Sequence, residues 1–81
     1  MKVEINEPQA RVLKSKQDAV SCMKEAIASF ENAEYAKEKM ECALDESEKE
    51  DFLAFKLQYE VKFRTCLSDL ANYWESLKKT A

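Results

Sequence analysis

Four glutamates at positions 31, 34, 38 and 41 form the most evident carboxylate cluster in this sequence. Their spacing places them in one row along a helix, where neighbouring carboxylates can exchange protons or hold a cation. Such a row is more often the solvated side of a helix, and Lys37 and Lys39 lie close by in the sequence. We therefore interpret the row as part of an acidic patch, and we expect no catalysis, no metal and no cofactor.

Other reactive groups are scarce, because the 81 residues include no histidine and no glycine. This excludes a Ser-His-Asp triad, a Cys-His pair, His-ligated zinc and a glycine-rich phosphate loop. The three cysteines at 22, 42 and 66 are odd in number and far apart, which predicts reduced thiols and a cytoplasmic protein. Cys22 and Cys66 fall on apolar stripes, whereas Cys42 falls on a polar face.

Charge is unevenly distributed along the chain. Residues 31–51 contain nine acidic and three basic residues, a formal charge of −6, whereas both ends are mildly basic. The basic residues are spread over several faces, so we expect no nucleic-acid partner, and the absence of a long apolar run predicts no membrane span. The predicted acidic patch consists of Glu31, Glu34, Glu38, Glu41, Glu46, Glu48, Glu50 and Asp51.

The composition predicts an all-α protein with a single domain over residues 1–81, of which 1–6 form a flexible N-terminus. One helix is expected from about 8 to 44, because Pro8 suits a first helical turn and Asn6 can cap it. A second helix is expected from about 47 to 79, with Asp45 or Ser47 as its N-cap. The two helices would form a long hairpin.

The second predicted helix has a regular apolar stripe of the coiled-coil type. Aromatic residues and Cys66 recur every seven residues at 52, 59, 66 and 73, and a second row follows at 63, 70 and 77. Polar residues, Asp69 among them, are expected on the opposite, solvated face. Leu53, Leu57 and Val61 form a further apolar side that one facing helix cannot cover.

The first predicted helix has a row of mostly small residues every seven positions, at 12, 19, 26, 33 and 40. Val20, Met23, Ile27 and Phe30 flank this row, but after Phe30 the glutamates occupy the same flank. The later apolar residues arrive one position early, a rotation of roughly 100°. We therefore predict that the helix bends or breaks near residues 29–32, and that its two halves pack against different surfaces.

These patterns predict more apolar surface than a two-helix hairpin can bury. The favoured function is a small non-catalytic protein-interaction module, an adaptor, regulator or inhibitor, that completes a helical bundle as a homodimer or with a helical partner. An antiparallel homodimer would set each acidic turn near the partner's basic ends. The alternative is a chaperone of the secretion-system type or a phage-type inhibitor whose acidic tip binds a basic surface. The predicted interface consists of Leu53, Leu57, Val61, Tyr73 and Trp74.

Overall fold

The computed structural model describes residues 7–79, which form two antiparallel α-helices joined by a short turn. Helix α1 comprises Lys16–Cys42 and helix α2 comprises Glu46–Lys79, 27 and 34 residues respectively. No strand occurs between residues 7 and 79, and the molecule measures 54 × 21 × 14 Å. The predicted all-α helical hairpin is therefore confirmed, while the predicted flexible N-terminus at 1–6 and the Asn6 cap lie outside the described residues.

Helix α1 begins eight residues later than predicted, because Ser15 caps it. The Ser15 hydroxyl oxygen accepts a hydrogen bond from the Asp18 amide at 3.1 Å, and the Asp18 carboxylate accepts one from the Lys14 amide at 3.0 Å. Proline at position 8 fits an extended segment as well as a first helical turn, since both have its φ value. Residues 7–14 are not helical, and we call this segment the strap.

The turn between the helices ends at Asp45, one of the two residues predicted to cap α2. The Asp45 carboxylate accepts a hydrogen bond from the Ser47 amide at 3.0 Å, and the Asp45 carbonyl accepts one from Lys49 at 3.0 Å. At the end of α1 the backbone of Ala43 turns extended, with φ −71° and ψ 136°. The extended Ala43, then Leu44 and the acidic cap Asp45, close the hairpin without glycine.

Helix α1 runs without interruption through residues 29–32, so the predicted break does not occur. Its buried residues follow alternating steps of three and four, which is one unbroken seam: Ala19, Cys22, Ala26, Ser29, Ala33 and Ala36. The packing side does not change along the helix. The sequence pattern suggested a change because the larger residues beside the seam looked like the core, and because glutamates replace them on that flank after Phe30.

The core between the helices is narrow and built from small side chains. Cys22, Ala26 and Cys66 form its buried centre, and Leu13, Phe63 and Leu70 pack against it while remaining partly exposed. Small residues at the contact allow two helix axes to approach closely. Close approach leaves little room for large side chains in the seam, so these lie along its two edges.

Candidate functional site

One side of the hairpin presents a contiguous set of large apolar side chains to solvent. Ile27 is 59% exposed and Trp74 is 60% exposed, and their neighbours on this side are half-exposed. We call this surface the open face. It consists of the exposed residues Val20, Met23, Ile27 and Phe30 from α1 and Leu67 and Trp74 from α2, with the half-buried Phe63 at its inner edge.

Helical spacing explains why these residues share one side. The α1 members are separated by three, four and three residues, so they form a stripe directly beside the buried seam. On α2, Leu67 and Trp74 are one heptad apart. The rings of Phe30 and Phe63 meet with their centroids 5.6 Å apart, which joins the two helices' contributions into one surface.

The open face ends abruptly on the side of the turn. Glu34 and Lys37 on α1 and Lys56 and Glu60 on α2 line a shallow cleft that begins at Phe30. Lys56 and Glu60 form an ion pair across one turn of α2. This side of the hairpin is therefore apolar in the half nearest the two chain ends and charged in the half nearest the turn.

The strap lies on the other side of the hairpin and joins both helices through Arg11. The Arg11 Nη2 donates to the Glu25 carboxylate on α1 at 2.6 Å, and Arg11 Nε lies 3.6 Å from Asp69 Oδ2 on α2. The hydrogen bond with Glu25 holds the pKa of the Arg11 guanidinium above its ordinary value. Arg11 thus stays charged and holds the strap against the helix pair.

Asp69 is buried, although the sequence placed it on the solvated face of its helix. Its side chain is 1% exposed, and Oδ1 accepts a hydrogen bond from the Arg11 amide at 3.2 Å. Within residues 7–79, Asp69 Oδ2 has no hydrogen-bond partner, although the Arg11 guanidinium lies nearby. A buried carboxylate is costly unless a charge partner accompanies it, so the prediction failed because the strap brings that partner from 58 positions away.

The two buried cysteines face each other beneath Arg11. The Cys22 thiol donates to the Cys66 carbonyl at 3.4 Å, and Arg11 Nη2 lies 3.5 Å from the Cys22 sulfur and 3.9 Å from the Cys66 sulfur. Burial, followed by the nearby Cys66 thiol, raises the pKa of Cys22, and the guanidinium opposes this rise. Both thiols are buried and Cys42 is exposed, as the sequence predicted.

The predicted acidic residues lie at the turn end and along the half of α1 that leads to it. All of them are exposed except Glu50, which is half-buried, and Glu46 pairs with Lys49 at 4.0 Å. Over residues 7–79 no group of three or more acidic or cysteine side chains is arranged to hold a metal ion. That an acidic tip binds a basic partner surface stays a prediction of the sequence.

The predicted interface residues do not form one exposed patch. Leu53, Leu57 and Val61 are each half-buried, and Glu7 and Pro8 of the strap lie beside Val61. Tyr73 is half-buried, whereas Trp74 is exposed and belongs to the open face. Sequence reasoning had assigned the remaining members of the open face to the packing surface, so the exposed surface was found only in part.

A signal for the open face was nevertheless present in the sequence. The seam of small residues and the stripe of large residues on α1 are adjacent, and both cannot fill the narrow space against one helix. Taking the alanines alone as the core would have left Val20, Met23, Ile27 and Phe30 exposed. For the Arg11–Asp69 contact we find no comparable periodic signal.

Comparison of the chain with protein-family models, with curated proteins and with solved structures finds no match. Neither α1 nor α2 contains a stretch long and apolar enough to cross a membrane, as far as residues 7–79 are concerned.

Proposed function

We propose that this protein is a non-catalytic interaction module that binds another protein surface through its open face. The observation that carries the proposal is the exposure of large apolar side chains on one side of the hairpin, in a chain whose other side is covered by its own strap. Contiguous apolar surface on a small protein is typical of a binding site. Aromatic and methionine side chains, present here as Phe30, Trp74 and Met23, are the types enriched in such interfaces.

The shape of the surface favours a helical partner. Two adjacent antiparallel helices leave a shallow groove between their flanks, and helices bind such grooves through residues spaced by three and four. The charged border at Glu34, Lys37, Lys56 and Glu60 would supply the polar rim on the side of the turn. Binding would work by burial of apolar surface, which requires no reactive group.

Site-specific photocrosslinking in cells of the native host tests this proposal. A photoreactive amino acid at Ile27 should crosslink to a protein, whether another chain or a copy of this one. The same group at Tyr35 is the matched control, because Tyr35 is on the same helix and 57% exposed but lies away from the open face. Equal crosslinking at both positions, or none at Ile27, would overturn the proposal.

A further inference from the structure

We propose that the partner is a second copy of this chain, bound through the open face in an antiparallel orientation. The inference rests on the proposed function and identifies its partner. It is drawn from the order of side chains on α1. Apolar residues lie at equal distances on both sides of residue 25, so a copy turned end to end would present apolar residues at the same levels.

The symmetry of the face is evident on α1. If a twofold axis crosses the helix at residue 25, perpendicular to its length, Met23 lies level with the partner's Ile27 and Val20 with the partner's Phe30. The next position outward brings Lys16 level with the partner's Glu34, about 13 Å from the axis at the α-helical rise. Apolar residues therefore meet apolar residues, and opposite charges meet at both ends.

Helix α2 repeats this arrangement about the same axis. Phe63 lies level with the partner's Trp74, and Leu67 lies level with the partner's Leu70, which is partly buried against the core at the edge of the open face. About one turn further out, Lys78 lies close to the level of the partner's Glu60. Two copies in this orientation would form a four-helix bundle along their terminal halves, with α1 against α1 and α2 against α2, and with the acidic turns pointing in opposite directions.

The parallel orientation is electrostatically worse. An axis along the hairpin would place α1 of one copy over α2 of the other at the same level. Lys16 would then lie near the partner's Lys78, and the turn ends, where residues 31–51 carry a formal charge of −6, would meet. Like charges in contact disfavour that complex, whereas the antiparallel complex places each basic terminal end beside a glutamate.

The exposed area of the single chain is large enough for such an interface. The chain exposes 6411 Å², whereas a compact monomer of its 9.4 kDa mass exposes about 5000 Å². A standard interface buries roughly 800 Å² of each partner, about an eighth of this exposed area. The elongated shape, with a radius of gyration of 15.6 Å against about 12 Å for a compact chain of this length, contributes to the exposed area.

The solution mass at micromolar to hundreds of micromolar concentration tests the identity of the partner. The wild-type protein should have twice the chain mass of 9.4 kDa. Ile27→Asp should give a single-chain mass with retained helical circular dichroism, because Ile27 is exposed within one chain, and Tyr35→Asp should remain dimeric. A monomeric wild type would overturn the inference, as would loss of the dimer in Tyr35→Asp but not in Ile27→Asp.

Charge exchange tests the orientation. Lys16→Glu and Glu34→Lys should each raise the dimer dissociation constant by up to about tenfold, because each change affects two symmetric exposed pairs. The double variant should return to within about threefold of wild type. Tighter association of Lys16→Glu, or a double variant weaker than both single variants, would overturn the antiparallel arrangement. If the wild type is monomeric while Ile27 crosslinks to a different protein in cells, this inference fails and the proposed function stands.

Discussion

The helix pair has a polar side that the chain covers and an apolar side that it leaves exposed, which is the opposite of the usual arrangement. The side beneath the strap contains charged groups, Glu25 and Asp69, yet the chain covers it with its own N-terminal segment. The open face is apolar, yet no described residue outside the two helices covers it. The chain thus uses its short N-terminal segment to satisfy a buried carboxylate and leaves its large apolar side chains exposed.

Thiol reactivity should show the largest difference between interior and surface. Cys42 is exposed and should react rapidly with a disulfide reagent, whereas Cys22 and Cys66 need local opening of the helix pair. An opening free energy of about 3 kcal/mol would slow them by roughly 100-fold. Stopped-flow labelling should therefore resolve one fast and two slow thiols, and Cys42→Ala should remove only the fast phase. Three equal rates would mean that the interior beneath the strap is open.

Removing the strap's charged contact should be the most destabilising surface change. Arg11→Ala leaves the buried Asp69 carboxylate without its guanidinium, and we expect a loss of about 2–3 kcal/mol in unfolding free energy. Urea denaturation measures it. Lys14→Ala, an exposed change in the same strap, should cost less than about 0.5 kcal/mol. Equal effects of the two variants would show that the strap does not depend on Arg11.

The narrow seam between the two sides should resist larger side chains. Ala26→Leu inserts three carbons into the buried centre between α1 and α2, and overpacking of this kind costs about 1–3 kcal/mol. Thermal and urea unfolding would report the loss. Ala28→Leu is the matched control, since Ala28 is exposed on the same helix. A neutral Ala26→Leu would contradict the alanine seam, and with it the division of the hairpin into two sides.

Alkaline pH should weaken the strapped side slightly through Cys22. Its pKa is raised in the folded protein by burial, so the unfolded chain loses this proton first as the pH rises. The stabilisation is complete below the unfolded pKa of about 8.5 and is lost above it, with a slope of at most about 1.4 kcal/mol per pH unit for one proton. Urea denaturation between neutral and alkaline pH should show a steeper decline in wild type than in Cys22→Ala, while Cys42→Ala should match wild type. Identical slopes in all three would contradict the burial effect.

Much of the fold could be predicted because it depends on local and periodic signals. The absence of glycine, the heptad stripe of α2 and the capping residues Asp45 and Ser47 were enough to predict two helices and the position of the turn. The start of α1 was predicted wrongly because Pro8 and Ser15 are both plausible starts, and neither signal includes the tertiary contacts of the strap. The predicted change of packing side failed because Ser29 was not recognised as a seam residue.

Spacing along the sequence was sufficient for the hairpin, for the buried alanines at 19, 26 and 33, for the burial of Cys22 and Cys66 and for the exposure of Cys42. These follow from spacing along a helix, since residues three and four apart share a side wherever the helix lies. Only the folded chain shows that the strap lies against the side with Glu25 and Asp69, that Asp69 is buried and that the large apolar side chains of the open face are exposed. Those outcomes depend on contacts between residues far apart in the chain, which periodicity within one helix does not encode.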